Sequence, residues 1–336
     1  MKRLFAWLLL VFVLLAGLGG AGAWWWLDQP LGLPSQASAE APLEVQIPSG
    51  SAARGVAAAL TGAGVQTSPL LLQAWFRFSG RARDIKAGFY EVKPGATPRS
   101  VLDQLVKGEQ ALRSLTLLEG WSFRELMAAV RASPDLTQDL EGLDDAAVMA
   151  RVGFPGRHPE GRFFPDTYRM VRKATASSVL RQSAQAMEQR LALAWSQRDP
   201  STPLRSPDEA LILASIVEKE TGTAADRAMV GGVFTNRLRI GMRLQTDPTV
   251  IYGLGERFDG NLRRADLLAD TPYNSYTRAG LPPTPIAMPG WASLMAAVRP
   301  ADTRALYFVA RGDGSSQFSA TLDEHNAAVR RYQLQK

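Results

Sequence analysis

The sequence contains no cysteine and only two histidines, His158 and His325, among its 336 residues. Disulfides, thiolate metal sites, a Cys nucleophile and a lipid-modified Cys are thereby excluded, and zinc or Ser-His-Asp chemistry would have only two imidazoles to draw on. There is no G-x-S-x-G elbow, no S-x-x-K pair and no Gly-Lys dipeptide of a Walker loop. This argues against serine hydrolases, penicillin-binding acyl enzymes and nucleotide hydrolases. Dense basic patches are missing too: 38 basic residues face 32 acidic ones, and no Lys/Arg run exceeds a pair such as Arg263-Arg264 or Arg330-Arg331. Without a charge stripe or interleaved aromatics, nucleic acid is not an expected partner. What remains is 46% hydrophobic and 21% charged, the composition of a folded chain of about two domains.

One long apolar run is present. Leu4 to Leu27 carries no charge, and at 1.5 Å per residue it reaches about 36 Å, enough to cross a hydrocarbon core of about 30 Å with some tilt. Lys2 and Arg3 precede it and Trp24, Trp25 and Trp26 end it, the arrangement of a membrane helix with its basic end in the cytoplasm and an indole belt at the far interface. A cleaved signal peptide fits the same run, because Ala21-Gly22-Ala23 resembles an A-x-A cleavage site. Gly17, Gly19 and Gly22 match G-x-G-x-x-G, but that pattern binds nucleotides only between a strand and a helix. Residues 28–42, rich in Pro, Ser and Ala, read as a flexible linker.

A local pattern then occurs three times with identical spacing: Gly50, Arg54, Val56, Leu60; Gly95, Arg99, Val101, Leu105; Gly120, Arg124, Leu126, Val130. Each Gly follows a short apolar or alternating run (Leu43 to Ile47, Phe89 to Val92, Leu115 to Leu118) and precedes a Ser or Thr. The simplest reading is strand, tight turn, capped helix, with the sixth and tenth residues after each Gly facing a core. Three such units predict a small α+β module over residues 43–131.

From Ser206 the chain reads SPDEALILASIVEKETG. Ser206 with Glu209 forms a capping box and Pro207 takes the first helical position. Leu211 to Val217 is apolar on every face but that of Ser215, which predicts a buried helix ending at Gly222. Its last turn carries Glu218, Lys219 and Glu220. Ala214 and Ser215, one turn earlier, leave space over Glu218 for a ligand, while desolvation and the negative end of the helix dipole disfavour ionisation there. A general acid at neutral pH needs such surroundings. The same carboxylates also suit a solvated helix end, and spacing alone does not choose between Glu218 and Glu220. Further on, Asn236, Gln245, Asp247, Tyr252, Asn274 and Tyr276 offer amides, a carboxylate and rings near Gly- and Pro-rich loops. Such groups match sugar hydroxyls and C–H faces, although each also serves structural ends.

The stretches LASIVEKET (213–221), VFTNRLRIGMRLQTDPTVIYGLG (233–255), YNSYTRAGLPPTPIAMPG (273–290) and EGRFFPDTY (160–168), with LYFVARGDG and TLDEHN near the C-terminus, closely resemble the endolytic murein transglycosylases of the YceG-like (MltG) family. The resemblance covers nearly all of residues 43–336. It implies an α+β protein with a stub and single transmembrane helix (1–27), a linker (28–42), a LysM-like module (43–131) and a mixed α/β catalytic domain (132–336). It places that domain in the periplasm, held to the bacterial inner membrane, where it cuts peptidoglycan glycan strands internally; the sequence gives no sign of a metal or an organic cofactor. Peptidoglycan synthases beside it are further expected partners.

The family's catalytic Glu maps onto Glu218, and the six polar and aromatic residues above lie in matching motifs as cleft residues. The reaction implied is cleavage between N-acetylmuramic acid and N-acetylglucosamine with a 1,6-anhydro end, for which an intramolecular hydroxyl replaces the second carboxylate of ordinary glycosidases. A scaffold that only binds peptidoglycan is the alternative. A hydrolase of the same bond would need a second carboxylate, Asp247 or Glu160. Where many relatives have His in a D-G-x-H stretch, this chain has Ser316 after Asp313 and Gly314.

Overall fold

The computed structural model describes residues 2–333, and the side chains of Lys2 and Arg3, on which the membrane orientation rests, lie outside the described residues. The chain divides into two compact units, residues 1–113 with 169–172, and residues 114–168 with 173–336.

The first unit opens with α1 (Lys2–Trp26), followed by β1 (Leu43–Ile47), α2 (Ala53–Ala63), α3 (Pro69–Phe78), β2 (Gly88–Val92) and α4 (Pro98–Lys107). β1 and β2 pair antiparallel with Val45 opposite Tyr90. Within α1, Trp7–Trp26 is long and apolar enough to cross a membrane, with a mean hydropathy of 2.0 and none of its described residues fully buried. The free linker expected after it takes another form. Leu27 and Leu31 are buried, the Leu31 N–H donates to the Ala96 carbonyl at 2.7 Å, and Asp28 accepts from Arg99 at 2.9 Å. Two leucines among prolines show no period in sequence, yet Leu31 enters the module's core and Leu27, buried as well, accepts from the Arg99 N–H at 3.3 Å, which ties the end of α1 to the module.

β3 (Leu112–Thr116) leads on to α5 (Phe123–Ala132), β4 (Leu136–Thr137), α6 (Asp145–Val152), β5 (Thr167–Val171), β6 (Ala174–Thr175), α7 (Ala176–Ser196), α8 (Pro207–Glu220), α9 (Arg227–Arg239), α10 (Asp247–Leu254), α11 (Arg264–Leu268), α12 (Trp291–Val298), β7 (Tyr307–Ala310), β8 (Ser316–Ser319) and α13 (Leu322–Tyr332). Strands occur only as pairs: β3 with β5, β4 with β6 and β7 with β8. Residues 173–336 are therefore helix-dominated: of the mixed α/β domain expected for residues 132–336, the strand part among the described residues is short two-stranded ribbons. Its core forms around α8, whose Leu211, Leu213, Ala214, Ile216 and Val217 have no exposed surface. α12 and α9 pack against α8.

The three repeated turns occur as the spacing predicts. Gly50, Gly95 and Gly120 all have positive φ, from 74° to 85°, and α2, α4 and α5 each start three residues later. L side chains avoid that region, which explains the Gly in each copy. The six apolar partners, Val56, Leu60, Val101, Leu105, Leu126 and Val130, are at most 1% exposed. The third copy, however, belongs to the second unit, because the chain leaves the first at residue 113 and not at 131. At the start of α5, Phe123 stacks on Phe163 with centroids 5.6 Å apart.

Candidate active site

The second unit holds a cleft of about 890 Å³ lined by α5, the 158–160 segment, α10 and the 273–286 loop. That is a volume suited to an organic ligand of several rings. Phe123, Ile251, Tyr252, Phe258 and Tyr273 supply much of its apolar surface, and its charged groups are Arg124, Arg131 and Lys219 against Glu125, Asp145 and Glu160. Tyr252 and Tyr273 meet edge to face, with centroids 4.9 Å apart.

α8 brings Glu218 to the side of this cleft. The helix starts as predicted, with the Ser206 Oγ accepting from the Glu209 N–H at 3.2 Å, while the Glu209 carboxylate reaches one residue further back to the Arg205 N–H. The space expected over Ala214 and Ser215 is filled. Ser215 Oγ accepts from the Ile286 N–H at 3.0 Å and so anchors the 286–290 segment on the helix. That segment ends at Gly290, whose N–H donates to Glu218 Oε2 at 2.9 Å. Arg227 at the start of α9 stands 3.6 Å from Glu218 Oε1. The Glu218 side chain is only 7% exposed, so its few contacts define its chemistry.

Lys219 and Gly120, which line the cleft, flank this carboxylate. Lys219 Nζ donates to the Gly120 carbonyl at 3.2 Å, and a Cβ on Gly120 would lie 4.0 Å from Glu218 Cγ. Arg227 faces a second hollow of about 370 Å³ formed with Ala224, Ala228, Met295 and Arg299. Glu218 itself lines neither hollow, but its neighbour Lys219 borders the first and Arg227 the second.

A second carboxylate that sequence reasoning missed lies alongside. The backbone of Gly120 and Trp121 pairs with Met288 at 2.9 and 2.7 Å, which lays Glu119 over Gly290 so closely that a Cβ there would meet its carboxylate. Partial burial, and then the nearby Glu218, push Glu119 above the usual carboxylate range, while Arg227 opposes them. One signal existed: the residues before the first two repeated glycines are Ser49 and Pro94, and only the third copy carries a charge there.

Glu160 is the third carboxylate, 3% exposed. Burial raises it to about 7, although it accepts from the Phe123 N–H at 3.0 Å and from Tyr252. Because the folded protein holds this proton more tightly than the unfolded chain, the stabilisation is complete below about pH 4.5 and is lost as pH rises through about 7. The loss amounts to about 3 kcal/mol. Glu160→Gln, isosteric and uncharged, is expected to remove that slope: urea midpoints of wild type and variant should agree at pH 4 and diverge at pH 8, with the variant more stable.

Of the six residues named as cleft candidates, Tyr252 lines the cleft. Asp247 and Tyr276 meet each other, the phenol donating at 2.5 Å, beside Glu220 on another face of α8. Glu220 is raised chiefly by burial, with Asp247 adding and a hydrogen bond from Thr246 opposing. Gln245, exposed and with φ of 49°, adjoins this group. Asn236 and Asn274 hold backbone. Asn236 donates to the Thr303 and Ala305 carbonyls at 2.8 and 3.1 Å. Asn274, 1% exposed, donates to the carbonyls of Asp266, Leu267 and Ala269 and accepts from the Tyr276 N–H. Asn274→Ala would unpair that set at a cost of about 2 kcal/mol, expected as a fall of roughly 5 °C in Tm by calorimetry. Ser316, at the position of the missing His, donates its N–H to Asp226 at 2.7 Å, one residue from Arg227.

A YceG-like family profile matches residues 45–331. The chain belongs to the YceG-like family. It is 31% identical over 89% of its length to the endolytic murein transglycosylase of Bacillus subtilis (strain 168), of which it covers 87%. It is 28% identical over 95% of its length to the endolytic murein transglycosylase of Streptococcus pneumoniae (strain ATCC BAA-255 / R6), and spans 63% of that longer protein. Among solved structures, a yceG-like protein from Listeria monocytogenes superposes with a TM-score of 0.53 at 29% identity, over 84% of this chain and 98% of that one.

Proposed function

We propose that the protein is an endolytic murein transglycosylase that works on the outer face of the bacterial inner membrane, with Glu218 as its acid and base. The observation that carries this reading is the placement of one sequestered carboxylate, held by Arg227 and the Gly290 N–H, at the side of a cleft with aromatic walls. The names of YceG-like relatives point to the same polymer.

In the reaction, Glu218 donates a proton to the oxygen linking C1 of N-acetylmuramic acid to O4 of N-acetylglucosamine, and the C1–O4 bond breaks. The 6-hydroxyl of the same muramyl residue closes on C1, and its proton passes to the Glu218 carboxylate, which restores the acid. No water enters the balance. Ring closure supplies the nucleophile at high effective molarity, so Glu119 and Glu160 are not required as nucleophile or water base. The N-terminal end of α12 and Arg227 offset the carboxylate formed when the proton leaves. Tyr252 and Tyr273 offer faces for sugar C–H groups, and Gln245, Asp247 and Tyr276 make a polar edge for a more distant unit. Residues 43–113, with their two strand–turn–helix copies, act as the LysM-like glycan-holding module, and α1 as a retained anchor.

The test is digestion of insoluble peptidoglycan by the full-length protein. Long soluble glycan fragments of mixed length are expected from the first minutes. Release of disaccharides alone would refute internal cleavage, and glycan retention without any release would favour the scaffold.

A further inference from the structure

Outside α1, the most exposed large apolar side chains among the described residues are Phe78 at 86% and Leu70 at 73%, both on α3. α3, PLLLQAWFRF, has a single charge, Arg77. Leu72 and Phe76 are buried in the module, and at 100° per residue the opposite arc carries Leu70, Leu71, Ala74 and Phe78. A helix that is apolar all round is normally covered on every side, yet this arc lies open.

Two observations place that arc at the membrane. First, α1 runs into the module without slack, because Leu31 sits in the module core, Leu27 is buried with its carbonyl accepting from the Arg99 N–H at 3.3 Å, and Asp28 is paired with the Arg99 side chain. Second, the Arg99 guanidinium lies 5.0 Å from the ring of Trp24, at the far end of the membrane helix, and 5.8 Å from the ring of Trp75 on α3. Trp75 borders the open arc, one turn from Leu71 and Phe78. Since indoles at the end of a spanning helix lie at headgroup depth, the C-terminal half of α3, which carries Trp75 and Phe78, stands beside that level.

We propose that the outer face of α3 is an interfacial element that lies in the lipid surface next to α1, and so holds the first unit against the bilayer. Leu70, Leu71 and Phe78 enter the boundary between headgroups and acyl chains, and Arg77 extends to lipid phosphates. The proposal rests on the reading of α1 as a retained anchor.

The absence of cysteine allows a clean test. Single variants Phe12→Cys, Phe78→Cys and Glu109→Cys of the full-length protein are labelled with an environment-sensitive fluorophore and reconstituted into nanodiscs that contain anionic lipid. All three native side chains are exposed, so none of the replacements touches a core. Expected is quenching of the label at 12 by nitroxides deep in the acyl chains and of the label at 78 by nitroxides near the headgroup, with the label at 109 reached only by aqueous iodide. A quenched label at 12 with a label at 78 as open to iodide as that at 109 would overturn the docking and leave the anchor standing. A label at 12 that lipid nitroxides do not reach would overturn both. A label at 78 shielded from iodide and lipid alike would mean that protein covers α3, and would also overturn the proposal.

Discussion

Glu218→Gln is expected to lower turnover by about 10²- to 10⁴-fold while the unfolding midpoint stays within about 1 kcal/mol of wild type. The amide oxygen can still accept from the Gly290 N–H, now 2.9 Å from Oε2, so the loop stays in place. What disappears is the exchangeable proton and the charge that faces Arg227. The binding surfaces of the cleft are untouched, so glycan affinity should be retained and the loss should fall on kcat. Initial-rate measurements at several glycan concentrations, with a binding assay on the same variant, check this. A variant with near-normal kcat would remove Glu218 from the chemistry and return attention to Glu119 and Glu160.

Gly290→Ala carries the next largest effect. Gly290 has φ of −78° as the N-cap of α12, so Ala fits the backbone. Its Cβ, however, would lie 2.3 Å from Glu119 Cδ, and closer still to a carboxylate oxygen, the nearest atoms all belonging to that side chain. Glu119 is exposed enough to swing aside, so the fold should survive with the carboxylate displaced from Glu218 and Arg227. A fall of about 10²-fold in kcat is expected, the scale on which small misplacements act. A double-mutant cycle isolates the cause. If Glu119 mediates the effect, adding Gly290→Ala to Glu119→Ala should change kcat no further, and a full additive loss would show that the methyl group acts on Glu218 directly.

Much of this arrangement is legible in sequence where the cause is local. Three positive-φ turns required Gly50, Gly95 and Gly120, and the helices that follow announce themselves by apolar residues at fixed spacing. α8 is bounded by Ser206 and filled by Leu211 to Val217, which makes its burial readable from the sequence. The rest depends on partners far apart in the chain. Ala214 and Ser215 looked like room for a ligand because nothing nearby in sequence reveals that Ile286 fills it. Arg227 reaches Glu218 only because α9 turns back along α8, and Glu119 reaches it only because residues 120–121 pair with Met288. Asn236 and Asn274 have the right chemistry for sugars, but the carbonyls that they satisfy lie on loops whose course no local rule gives. The pinning of residues 27–31 is hidden for the same reason, since isolated Leu27 and Leu31 have no period that betrays their burial.

The most direct measurement is the mass of the new glycan ends that the wild-type protein produces from peptidoglycan. Ring closure by the muramyl 6-hydroxyl with Glu218 as the sole acid and base predicts 1,6-anhydro ends, lighter by one water than hydrolysed ones. Reducing ends would contradict it, and would mean that a second carboxylate at this site activates water.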